Sequence, residues 1–179
     1  TFFEVPTATL SGDPSICIGD CTNISVAFTG DAPYSITINN GTQDTTLNDI
    51  NSNPFNYQVC PTSTTAYTLV GVNDENCPGD INGGANVTVN EAPVIVNSQV
   101  TINATNTGYT VSFEIVGGDP ATYAVSPNNG TITGNTFTSN ELPCGSPYNF
   151  SVDDDNGCGP NSVSDPMVDC GCISQAGDM

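Results

Sequence analysis

The side chains with chemistry to offer are eight cysteines and nineteen carboxylates, set in 179 residues that contain no Lys, Arg or His. Without His, the common general base and the common transition-metal ligand are both missing. Without Lys there is no Schiff base and no Lys–Asn isopeptide cross-link. Ser and Thr are abundant, yet no triad-type base is at hand to activate them. Paired carboxylates can run glycoside hydrolysis, but only in a cleft that desolvates one of them. Here the acids cluster in Gly/Asn-rich turns, and there is no Trp to floor a sugar site. The expectation is a protein that is not an enzyme.

The carboxylates concentrate in two related turns. One follows Tyr67-Thr-Leu-Val and holds Asp74, Glu75 and Asp80; the other follows Tyr148-Asn-Phe-Ser-Val and holds Asp153, Asp154 and Asp155. In a sandwich of antiparallel strands these turns share an end with Asp31 and Asp119 respectively. Four carboxylates at one pole, with no cation nearby, suit Ca²⁺, which takes six to eight oxygens at flexible geometry. The same residues are also common turn formers that hydrogen-bond their own backbone. No segment fits the helix-flanked calcium loop, and no cofactor other than Ca²⁺ is implied.

The cysteines lie at positions 17, 21, 60, 77, 144, 158, 170 and 172. Cys17/Cys21 and Cys170/Cys172 are spaced closely enough to raise zinc, but structural zinc gathers four thiolate or imidazole ligands on short knuckles. An even count in a small β-domain reads as disulfides. Connectivity does not follow from sequence; strand adjacency favours Cys21–Cys60 and Cys144–Cys170. That leaves Cys17 with Cys77, and Cys158 with Cys172 unless one of these two bonds outside the segment.

A formal charge of −19 without a single basic side chain excludes counterion-release binding to nucleic acid and attraction to anionic membrane surfaces. No stretch approaches the roughly 20 apolar residues of a membrane span. Every trypsin site is absent.

The elements that must position these groups are strands. Period-2 alternation and turn signals recur throughout, with no helical periodicity. Strands are expected at Thr7–Leu10, around Ile24, Val26 and Phe28, and around Tyr34, Ile36 and Ile38. Asn40-Gly41 follows as a hairpin turn. Further strands are expected at Thr45–Leu47, Phe55–Val59, Tyr67–Val72 and Ala85–Val89. The second half repeats the plan at Val100–Ala104, Tyr109–Val116, Tyr123 and Val125, Gly130–Ile132, Thr136–Thr138, Tyr148–Val152 and Ser162–Val168. Val111, Phe113 and Ile115 should face inward, and Pro166 should mark an edge or a bulge in the last strand. The fold class is all-β: two tandem Greek-key immunoglobulin-like (PKD-like) sandwiches, residues 1–91 and 92–179, the second running into the start of a following repeat.

Particular stretches carry a family resemblance. Ile16-Cys-Ile-Gly19, Phe28-Thr-Gly-Asp-Ala-Pro-Tyr34, Pro61-Thr-Ser-Thr-Thr-Ala-Tyr-Thr-Leu69 and Val72-Asn-Asp-Glu-Asn-Cys77 resemble the PKD/immunoglobulin-like repeats of giant surface proteins from gliding Bacteroidota-type bacteria. Gly117-Gly-Asp-Pro-Ala-Thr-Tyr123, Phe150-Ser-Val-Asp-Asp154, Cys158-Gly-Pro160 and the stretch from Cys170 to Met179 resemble the repeat that follows in such proteins. The resemblance implies export by the type IX route, an extracellular location and a role in adhesins or filaments. The expected function is a structural spacer segment whose partners are neighbouring repeats, copies of itself in a filament, or a cell-surface glycan. A lectin-like module is the alternative, with Tyr34, Tyr57 or Tyr123 stacking on a sugar if they are not packed in the core.

Overall fold

The structure, a computed structural model, describes residues 4–171. The chain divides into two compact units, Thr1–Asn90 and Glu91–Met179. No helix occurs among the described residues.

In the first unit, alternation of apolar residues places one face of each strand inward. One sheet contains β1 (Thr7–Ser11), β3 (Thr22–Thr29), β6 (Phe55–Val59) and β8 (Asp80–Gly83), in the order β6-β3-β1-β8. The other contains β2 (Ser15–Cys17), β4 (Tyr34–Asn39), β5 (Asp44–Ile50), β7 (Thr65–Asn73) and β9 (Ala85–Asn90), in the order β2-β9-β7-β4-β5. Between them lie Leu10, Ile24, Val26, Ile36, Val72 and Val87, all essentially sealed from solvent. Two strands escape the sequence reading, β2 and β8. Both are short parallel additions, β2 to β9 and β8 to β1, and neither has the alternating apolar face that marks the others.

The second unit packs β10 (Val94–Ile102), β11 (Gly108–Val116), β13 (Gly130–Thr133), β14 (Thr136–Ser139) and the short β15 (Leu142–Pro143) against β12 (Ala124–Ser126), β16 (Tyr148–Asp153) and β17 (Asn161–Asp165). Val111, Phe113 and Ile115 face inward, with at most 1% exposure. Phe137 is the centre of the core, with ring centroids 4.9 Å from Phe113 and 5.0 Å from Phe150. Such aromatic contacts add to the gain from area burial alone.

Two boundaries differ from expectation. The first strand of this unit begins at Val94, not Val100, pairing Val94 with Val116 and Ile95 with Ile115. Its alternation is interrupted by a bulge between Val96 and Gln99, where Asn97 takes a φ of 53°. The bulge shifts the inward face by one residue, so a period-2 reading loses the strand there. The last strand stops at Asp165, so Pro166 ends it rather than bending it; β17 is an edge strand.

Candidate functional site

Each unit builds the same small assembly where its acidic turn meets a glycine turn. In the first unit β3 leads into Gly30-Asp31 and β4 begins at Tyr34. Gly30 has a φ of 95°, a left-handed conformation that glycine adopts without the usual side-chain penalty. The Tyr34 hydroxyl donates to the Gly30 carbonyl at 2.7 Å. The end of β7 delivers Asp74, whose Oδ1 accepts the amides of Asn76 and Cys77, both at 2.8 Å. These amide bonds, Cys77 first and then Asn76, hold the Asp74 carboxyl below its ordinary pKa, and the Asp31 amide contributes as well. A Cβ placed on Gly30 would lie 3.3 Å from Asp74 Oδ2.

The second unit repeats this assembly. Gly118 has a φ of 61°. The Tyr123 hydroxyl donates to the Gly117 carbonyl. Asp154, at the end of β16, accepts the Asp119 amide on Oδ2 at 2.7 Å and the Asn156 amide on Oδ1 at 3.1 Å. A Cβ on Gly118 would lie 2.5 Å from Asp154 Oδ2. Burial raises the pKa of both tyrosines, with the carboxylates beside them adding to the effect: Asp31 and Asp74 for Tyr34, Asp154 and Asp119 for Tyr123.

The calcium poles expected from the sequence are not assembled. Among the described residues no three of the carboxylate or cysteine side chains come together as a metal-ligating group. Asp74 and Asp154 turn inward to backbone amides. Asp80 leaves its turn for β8, where it pairs with Thr7. Asp119 Oδ1 accepts the Ala121 amide and Asp153 Oδ1 the Asp154 amide. Glu75 and Asp155 are exposed, and Asp31 enters through its amide rather than its carboxylate. The reason is local: in an Asp/Asn/Gly turn the nearest partner for a short carboxylate is the chain's own N–H.

Disulfides join Cys21 to Cys60 and Cys144 to Cys170. Cys77 is free, so the expected Cys17–Cys77 pair does not form, and Cys17 and Cys158 are both disulfide-bonded. The 73–84 turn does not fold back along the domain as that pair required. It forms β8 instead and leaves the Cys77 sulfur against the Glu4 carbonyl at 3.7 Å. Cys172 and the start of a further repeat lie outside the described residues.

The tyrosines proposed as a sugar platform divide. Tyr34 is buried and stacks on Phe28 with ring centroids 4.3 Å apart, so it offers no exposed face. Tyr123 is half-buried and packs against the second core. Tyr123 borders a smaller space of about 450 Å³ beside Val125 and Phe137, and Tyr57 borders a groove of about 690 Å³ that it shares with Tyr67 and the β4–β5 hairpin tip. Sequence reasoning missed this groove. Its signal was the hydroxyl-rich run Pro61-Thr-Ser-Thr-Thr-Ala-Tyr67.

A family model described as the Ig-like domain of nucleoporin POM152 matches residues 6–87. No curated protein matches. Among solved structures, an E-to-A variant of titin domains I67–I69 is similar with a TM-score of 0.54 at 16% identity, covering 91% of this chain and 64% of that one. Sidekick-1 immunoglobulin domains 1–4 give a TM-score of 0.51 at 13% identity, covering 94% of this chain and 50% of theirs. The chain thus spans between half and two thirds of the length of these structures. Identities this low bear on the fold alone, and the fold they share with this chain is the immunoglobulin-like sandwich.

Proposed function

We propose that the chain is a structural spacer segment of a large secreted surface adhesin or extracellular filament. The observation that carries this reading is the duplicated anchor: Gly30–Tyr34–Asp74 in one unit and Gly117–Tyr123–Asp154 in the next. Two successive modules that depend on the same device at the same place are products of repetition, and repetition extends a chain rather than gathering catalytic groups. Structural disulfides suit an oxidising exterior. An acidic surface free of trypsin sites suits a protease-rich one.

The resemblance to Bacteroidota-type surface repeats supports export by the type IX route and a place in an appendage. Its partners are then the neighbouring repeats, or further copies of the same polypeptide. Immunogold labelling of intact source cells with antibody against the 179-residue chain tests the reading. Label along surface fibres supports it. Label found only after the cells are broken open overturns it.

A further inference from the structure

The groove in the first unit lies at the opposite end of the sandwich from the acidic turn. Strand β4 runs from Tyr34, beside Asp31 and Asp74, to Asn39 at the groove's rim, a rise of about 17 Å at roughly 3.3 Å per residue. That is about two Debye lengths in physiological salt. The walls are the hairpin tip at Asn40–Thr42, the end of β6 and the turn that leads into β7. The Cys21–Cys60 disulfide ties the β6 wall to the residue preceding β3, and Asn40 Oδ1 fixes the hairpin tip by accepting the Thr42 and Gln43 amides at 3.1 and 2.8 Å.

What lines this space decides its chemistry. No Asp or Glu is among the lining residues, in a chain with nineteen of them. Tyr67 is only 7% exposed, yet its hydroxyl has no hydrogen-bond partner among the described residues and is not sealed from solvent. It therefore opens on the groove it lines. Burial raises its pKa, and the neighbouring Tyr57 phenol adds to this. The side chains of Thr45, Thr62 and Ser63 are likewise uncommitted and exposed. An anion would need cations, which the chain lacks. A cation would need carboxylates, which the lining lacks. Hydroxyls and amides that both donate and accept, set beside two aromatic rings, match a ligand that is uncharged, donates and accepts in turn, and has apolar ring faces.

We propose that this groove is a binding site for a neutral saccharide unit, with Tyr57 as the stacking surface and the Tyr67 and Thr45 hydroxyls, the latter opposite inward-facing Ile38 on β4, as polar contacts. This site is independent of the spacer role, so failure of one leaves the other standing. The test uses the isotope-labelled 179-residue chain, titrated separately with glucose, galactose, mannose and N-acetylglucosamine while backbone amide resonances are followed. The expected result is that at least one sugar shifts resonances confined to the hairpin tip and the Tyr57–Tyr67 stretch. Tyr67→Phe and Thr45→Ala should each weaken that binding roughly two- to tenfold, the value of one hydrogen bond, and Tyr57→Ala should abolish it. Thermal unfolding of each variant checks that the sandwich is intact, and exposed Thr45 provides a variant that does not disturb the core. Absence of shifts in the groove with all four sugars overturns the proposal. So do shifts that survive all three substitutions unchanged.

Discussion

Asp154 Oδ2 accepts the backbone amide of Asp119 at 2.7 Å, joining the end of β16 to the turn that precedes β12. Asp154 is one of two buried polar or charged residues among those described, and its carboxylate meets three N–H groups. Removing it leaves the half-buried Asp119 amide without its partner, while exposed Asn156 can turn to water. Asp154→Ala should therefore destabilise the second unit by about 1–3 kcal/mol, while Asp154→Asn, which keeps one acceptor oxygen, should cost less. Denaturant unfolding of the two variants checks the order.

Gly118→Ala should reproduce part of the same defect. The substitution introduces a Cβ at 2.5 Å from Asp154 Oδ2 and strains a φ of 61°. Gly134 has a similar φ of 60° with open space around it, so Gly134→Ala isolates the backbone penalty. Gly118→Ala should lower the midpoint of unfolding by more than Gly134→Ala does; equal effects would mean that the carboxylate contact contributes nothing.

Stability should fall at both ends of the pH range. Backbone amides depress the Asp74 pKa, so its contribution is complete above the ordinary carboxylate value of about 4 and is lost as pH falls through the lower folded value. Tyr34, Tyr67 and Tyr123 have raised values, mainly through burial. Their contribution is complete below the ordinary tyrosine value of about 10 and is lost as pH rises towards their folded values. Thermal melts across pH should show a plateau between these limits. Phenolate absorbance should show a fraction of the tyrosines ionising late, together with alkaline unfolding.

Stretching a single oxidised chain should release less length than stretching a reduced one. Cys21–Cys60 encloses a separation of 39 residues and Cys144–Cys170 one of 26. At about 3.5 Å per residue, these loops withhold roughly 140 and 90 Å of contour. In the chain-entropy view each closure is worth about 3.5–4 kcal/mol, so equilibrium unfolding under reducing conditions should shift to lower denaturant.

Calcium should leave the melting temperature unchanged. Asp74 and Asp154 are occupied by amides, and no third ligand joins them among the described residues. A melt in excess Ca²⁺ that matches one in chelator is the expected result, since a ligand that does not bind the folded state does not shift its stability.

Alternation in Ile24-Ser-Val-Ala-Phe28 and Val111-Ser-Phe-Glu-Ile115 was enough to determine the strands, their buried faces and the all-β class. A side chain on every second position of a pleated strand has little choice of face. The acidic turns were equally legible as turns. What they do was decided only in three dimensions. Asp154 and Asp119 are both turn aspartates, yet the carboxylate of one and the amide of the other form the anchor, as those of Asp74 and Asp31 do in the first unit, because their strands arrive from different directions. Cys77 remained free for the same kind of reason: β8 took the segment that would have carried it to Cys17. The groove needed the tertiary structure as well, since Thr45, Tyr57 and Tyr67 lie on three strands and meet only where a hairpin tip, a strand end and a turn converge.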